Sequence, residues 1–153
     1  MAVALVPKFN RNDIQKALQV RRARIDEAIL SRIQRIGEQF VANARNKADF
    51  TDRTGNLRSS IGYVILKDGQ QLFENYESKA GGTEGEDKAK EVAAEVAQQV
   101  IRNFPKGYVL IGVAGMDYAY SVESRGYDVI TSSAALSETA LKSAVQKIQS
   151  KLK

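Results

Sequence analysis

The stretch Ile61-Gly62-Tyr63-Val64-Ile65-Leu66-Lys67-Asp68-Gly69-Gln70-Gln71-Leu72-Phe73 decides the fold. Ile61 to Leu66 is apolar and rich in β-branched residues, Gln71 to Phe73 is a second short run, and Lys67-Asp68-Gly69-Gln70 separates them. An Asp-Gly step supplies the positive backbone angles that a tight hairpin requires. The spacing therefore predicts two antiparallel strands.

Toward the N-terminus, Ile14, Leu18, Ile25, Ile29, Ile33, Ile36, Phe40 and Ala44 recur at intervals of three, four or seven. That periodicity predicts one helix from Asp13 to about Asn46, capped by Asn12 or Asp13. At ~1.5 Å per residue it would span about 50 Å, whereas a globule of ~150 residues has a radius of gyration near 15 Å. Residues 1–24 are therefore expected to project. Gly37, unfavourable inside a helix by ~1 kcal/mol, marks a close crossing or a bend.

Toward the C-terminus, Asn75 to Gly85 is rich in Gly, Ser, Thr and Glu and reads as a mobile loop over 75–85. Glu86 to Phe104 returns to helical spacing through Ala89, Ala93, Val96 and Val100, and stops at Pro105-Lys106-Gly107. Tyr108 to Val113 reads as a buried strand, and Asp117 to Glu123 as a helical turn or irregular crossing ended by Gly126. Tyr127 to Thr131 is expected to add an edge strand. Ser133 to Lys151 forms the last helix, capped by Ser132 or Ser133, with Leu136, Ala140, Ala144, Ile148 and Leu152 on one face. The expectation is a single α+β domain over 1–153. A long N-terminal helix and a C-terminal helix pack on a small, mainly antiparallel sheet, and an additional helix is inserted between strands.

The chain of 153 residues contains no His and no Cys, the side chains that most readily exchange protons, attack carbonyls or hold transition metals near neutral pH. Its net charge of +5 is uneven: residues 1–50 hold ten Lys/Arg against five Asp/Glu, and 75–105 hold four against six. Arg21, Arg22 and Arg24 are the densest basic cluster, suited to nucleic-acid phosphate or a negative protein surface. Met1 to Val6 is too short for a secretory signal and is interrupted by Pro7-Lys8, and no apolar run approaches the ~20 residues of a membrane span. A soluble, cytoplasmically made protein without a membrane partner is expected.

Little else in the chain points to chemistry. Asp68 with Glu77-Ser78-Lys79 imitates the carboxylate and lysine set of metal-dependent nucleases, but on a Gly-rich loop that would not fix it. Ser59, Ser60 and Ser121 lack an activating base, so ordinary hydrogen bonding is expected of them. Gly81-Gly82-Thr83-Glu84-Gly85 lacks the Lys-Ser/Thr of a phosphate loop. Tyr118, Tyr120 and Tyr127 stand among Asp117, Glu123 and Asp128, which favours core packing or a protein interface over stacking on nucleic-acid bases. No catalytic, metal-binding or cofactor-binding residue is assigned.

Two motifs stand out by their order. Thr54-Gly55-Asn56-Leu57-Arg58-Ser59-Ser60-Ile61 follows the first helix, and Tyr118-Ala119-Tyr120-Ser121-Val122-Glu123 with Gly126 follows the central strand. Thr54 can cap a short turn, with Leu57 and Ile61 facing inward, and Glu123 is placed to accept backbone or Arg hydrogen bonds. Over most of residues 30–150 the pattern resembles the tail-completion or head-tail joining family of tailed bacteriophages and prophages, the minor neck proteins of the lambdoid type. It departs from that pattern at Ser124-Arg125, at Val129-Ile130-Thr131-Ser132-Ser133 and in the length of the helix from Glu86 to Phe104. The resemblance implies a non-enzymatic virion protein at the head-tail junction, assembled in the host cytoplasm. Its expected partners are further copies of itself in an oligomeric ring, the portal or head-connector protein, and the tail tube or tail terminator, with passing contact to DNA. Arg21, Arg22, Arg24, Thr54, Arg58, Tyr120, Glu123 and Arg125 are the expected interface residues. The alternatives are a basic nucleic-acid-binding accessory protein and a small metal-dependent nuclease.

Overall fold

The computed structural model describes residues 8–47, 49–77 and 82–152 of the chain. It is α+β: helices α1 (Arg11–Asn46), α2 (Asn56–Ser59), α3 (Gly85–Asn103), α4 (Ala119–Ser124) and α5 (Thr131–Leu152) accompany strands β1 (Ile61–Lys67), β2 (Gln70–Asn75) and β3 (Tyr108–Ala114). The chain divides into two compact units, Met1–Arg32 and Ile33–Lys153, and the sheet lies within the second.

The hairpin forms where its sequence predicts. Asp68 (φ 50°) and Gly69 (φ 78°) both take the left-handed conformation of a type I′ turn. Asp68 also fixes the turn to the far side of the sheet: its N–H donates to the Gly107 carbonyl at 3.0 Å, and its carboxylate accepts the Gly107 N–H at 2.8 Å. The sheet order is β2-β1-β3, antiparallel throughout, so β1 is central and is buried from Ile61 to Leu66. The β1–β2 register shifts between Ile65 and Leu66, which pair with Phe73 and Gln71, leaving Leu72 as the extra residue of a bulge.

Each face of the sheet has its own cover. Val64, Leu66, Ile111 and Val113 pack with Ala89, Ala93 and Ala97, the small stripe of α3. On the opposite face, Tyr63 and Gly112 are register partners and meet α1 through two aromatic-glycine contacts. A Cβ on Gly37 would lie 2.5 Å from the Tyr63 ring, and one on Gly112 would lie 2.5 Å from the Phe40 ring. Each element thus inserts a ring where the other lacks a side chain, and Gly37 serves a close crossing. The Tyr63 hydroxyl donates to Glu38 at 2.8 Å, and burial together with that carboxylate pushes its ionisation well above the ordinary tyrosine range.

Arg45, in the last turn of α1, holds the junctions together. Its guanidinium donates to the carbonyls of Arg58 (3.1 Å), Ile61 (2.6 Å) and Tyr76 (3.3 Å), and also to that of Glu77. These carbonyls belong to α2, the first residue of β1 and the segment that leaves β2. Burial pushes the guanidinium's ionisation down, and Glu86 and Glu38 offset part of that.

Three local expectations change. The α1 cap is a reciprocal pair one turn earlier, in which Asn10 accepts the Asp13 N–H at 2.9 Å and Asp13 accepts the Asn10 N–H at 3.1 Å. Tyr127 to Thr131 is not an edge strand: Thr131 opens α5, and the N–H groups of Ile130 and Thr131 are taken by the Glu123 carboxylate. Ser132 and Ser133 lie inside α5, whose first turn is capped from outside by Asp128 accepting the Ser132 N–H at 3.0 Å. The α5 stripe is also incompletely covered, since Ala144 is buried while Leu136 is about half exposed; Val145, off the stripe, is also about half exposed. Of the segment expected to project, residues 1–7 lie outside the described residues. Of the expected loop over 75–85, so do residues 78–81, while Asn75 closes β2 and Gly85 opens α3.

Arg45→Lys keeps the charge but replaces a planar five-donor fork with three tetrahedral donors. It is expected to strand some of the four carbonyls and lower the unfolding free energy by about 2–4 kcal/mol, read from urea denaturation. An unchanged midpoint would show that the fork contributes little.

Candidate functional site

The first motif is a single helical turn held from both sides. Gly55 adopts φ 74° before α2, Thr54 Oγ1 accepts the Asn56 N–H at 3.3 Å, and the Asp52 carboxylate accepts the Arg58 N–H at 2.8 Å. Leu57 and Ile61 are buried, as their spacing predicts. Ser59 Oγ donates to the Asn56 carbonyl at 3.1 Å and Ser60 Oγ to the Leu57 carbonyl at 2.8 Å, so these serines are satisfied within the turn. The Arg58 guanidinium lies 5.6 Å from the centre of the Phe50 ring. The start of α3 presses on the same turn: a Cβ on Gly85 would stand 2.1 Å from Ser59 Oγ, and Asn56 Oδ1 accepts the Glu84 N–H at 3.3 Å. Gly82 and Gly85 thus belong to a close backbone crossing.

The second motif forms α4 and turns at Gly126 (φ 93°). Glu123 folds back on the start of α5, where one carboxylate oxygen accepts the Ile130 N–H at 2.9 Å, the Thr131 N–H at 3.0 Å and the Thr131 hydroxyl at 2.9 Å. Burial alone would raise this carboxyl, but the hydrogen bonds from Ile130 and Thr131 outweigh it and hold it below the ordinary glutamate range. Hydrogen bonds from Ser132 do the same for Asp128.

The two motifs meet. Thr54 and Leu57 from the first, Met116, Tyr118 and Val122 around the second, and Glu84 before α3 line an open groove of about 490 Å³. The Tyr118 hydroxyl hydrogen-bonds to Thr54, while burial and the nearby Asp52 carboxylate raise its ionisation. The groove's lining combines apolar Leu57, Met116 and Val122 and the Tyr118 ring with Asp52, Arg53 and Glu84.

The expected interface residues fall into three groups. Thr54, Arg58 and Glu123 are engaged in local structure, with Thr54 also in the groove. Tyr120, 82 % exposed, and Arg125 stand at the surface on α4 and just after it. Arg21, Arg22 and Arg24 are exposed on α1 within the Met1–Arg32 unit. Core packing does not describe the tyrosines, because Tyr118, Tyr120 and Tyr127 are all exposed. Tyr118, read from the sequence as core or interface, stands outside the eight expected interface residues, and Asp52 and Glu84 carry no expected interface role either. Asp52, two residues before Thr54-Gly55, carried a usable capping signal; Glu84 carried none. Of the nuclease-like set, Asp68 is bonded to Gly107, and Ser78 and Lys79 lie outside the described residues. Among the described residues, no group of three or more His, Cys, Asp or Glu is placed to share a metal ion, and no helix is long and apolar enough to cross a membrane.

No protein-family model, characterised protein or solved structure matches this chain.

The Glu123 cap carries a pH signature. A carboxyl held below its unfolded value stabilises the fold fully above that value, about 4.3 for Glu, and loses the contribution as pH falls through the lower folded value. Glu123→Gln should therefore cost about 1 kcal/mol at pH 7, and the gap to wild type should narrow progressively as pH falls below about 4.3. Urea titrations across that range check this, and a gap independent of pH would contradict it.

Proposed function

We propose that this chain is a virion structural protein of a tailed phage or prophage. It serves as one subunit of an oligomeric ring at the head-tail junction, in a tail-completion or connector role, and works by shape rather than by catalysis. The observation that carries the reading is the groove in which Thr54 and Tyr118 meet. The two motifs that resemble the neck family lie far apart in the sequence, yet they build one surface instead of serving unrelated turns.

Other features are consistent with a protein that acts by contact. Tyr120 on α4 and Leu136 and Val145 on α5 present apolar or aromatic surface to solvent. Aromatic side chains of this kind are enriched at protein interfaces. The partners in this reading are further copies of the chain, the portal or head connector, and the tail tube or tail terminator. The protein would then reside in the virion after assembly in the host cytoplasm.

A second reading, a basic nucleic-acid-binding accessory protein, draws on the exposed Arg21, Arg22 and Arg24. A steep loss of DNA affinity with salt in the isolated chain would favour it.

Deleting the coding sequence from the phage or prophage that carries it tests the leading proposal. The expected result is filled heads and finished tails that fail to join, with infectivity restored by supplying the chain in trans. Normal yields of joined particles without the chain would overturn it.

A further inference from the structure

We propose that copies of this chain bind one another head to tail, with the basic N-terminal half of α1 from one copy seated in the groove between the two motifs of the next. The inference rests on the proposed function only in its premise that copies assemble. The contact itself follows from complementarity between two surfaces of the same chain.

The groove offers an apolar floor of Leu57, Met116, Tyr118 and Val122 under a rim that carries Asp52 and Glu84. Among the described residues that line it, Arg53 is the one cation. Beyond the rim stand Asp117, beside Met116, and Asp87 in the first turn of α3; Lys88 lies close enough to interact with Asp117 and Glu84, so the surface is acidic in balance, with carboxylates outnumbering cations. The ionisation of the Tyr118 phenol is raised first by burial, with Asp52 and Glu84 adding to it and the Thr54 hydrogen bond opposing it. Such a surface favours a segment that is apolar on one side and cationic around it.

The N-terminal half of α1 fits that description. Residues 8–32 carry seven Lys/Arg against three Asp/Glu. Within them Ile14 and Leu18, one helical turn apart, are 46 % and 53 % exposed, and the exposed Arg21 and Arg22 follow. Apolar anchors at i and i+4 with flanking cations are the pattern by which an amphipathic helix lies in a groove. Ile14 and Leu18 fill the floor while the arginines meet the rim carboxylates, for which their planar forks are suited. Donor and acceptor surfaces are different elements of one chain, so the contact is heterologous, and repeated copies close into a ring or continue as a filament.

Charge exchange in the full-length chain tests the proposal. Arg21→Glu with Arg22→Glu, and separately Glu84→Lys with Asp117→Lys, are each expected to weaken self-association about tenfold or more, read by native mass and sedimentation. An equimolar mixture of the two variants should restore it, because every helix then meets a groove of opposite sign. Far-UV circular dichroism checks that both variants fold. Because the chain has no Cys, Leu18→Cys and Arg53→Cys introduced together into otherwise wild-type protein should yield intermolecular disulfides on mild oxidation, a readout independent of the charge variants. A chain that is monomeric at every concentration, or an oligomer indifferent to both reversals and without the cross-link, overturns this contact. An indifferent oligomer that still joins heads to tails leaves the proposed function standing. Charge-restored oligomers that join nothing establish the contact and defeat the neck role.

Discussion

Arg45 is where the fold is tied. Its guanidinium takes carbonyls from Arg58, Ile61, Tyr76 and Glu77, so one cation fixes the end of α1 to the first motif, the start of the central strand and the exit from β2. A guanidinium, with five N–H donors in a rigid fork, is the side chain suited to serve four converging carbonyls at once. The two aromatic-glycine contacts, Tyr63 at Gly37 and Phe40 at Gly112, then set how closely α1 approaches the sheet. With α1, α2 and β1 fixed together, the first motif becomes a firm wall against which the second can close.

The second motif is fixed by anions instead. Glu123 and Asp128 gather the N–H groups at the start of α5, turning Val129, Ile130 and Thr131 away from the extended conformation that their side chains favour. Glu123, near the end of α4, anchors that helix to the start of α5. The groove between the motifs is thus bounded by a turn tied with a cation on one side and a bend tied with anions on the other.

The hairpin, the stripe of α1 after Ile33 and the Ala face of α3 were legible because each is written in local spacing: an Asp-Gly turn, a helical repeat, small residues four apart. Arg45 was not legible. In sequence it resembles Arg35 or Lys47, and what distinguishes it is four carbonyls contributed by residues remote along the chain. The α5 start was misread for a related reason, since β-branched residues signal a strand until distant carboxylates claim their N–H groups. Thr54 and Glu123 were singled out, but the periodicity of either motif says nothing about what it faces. Their union through Tyr118 became visible only in three dimensions. The uncovered apolar residues of α5 show the same limit, since a stripe announces that a face seeks a partner without saying which one.

In the neck reading these ties have a purpose. A subunit that transmits shape between head and tail needs a wall that does not yield and surfaces that other proteins can grip. The Arg45 and Glu123 anchors supply the first, and the groove with the exposed residues of α1, α4 and α5 supplies the second. The most direct test is negative-stain imaging with native mass determination of the full chain, alone and mixed with heads and tails of the phage that encodes it. The account predicts closed rings or joined particles. A chain that stays strictly monomeric and joins nothing would contradict it.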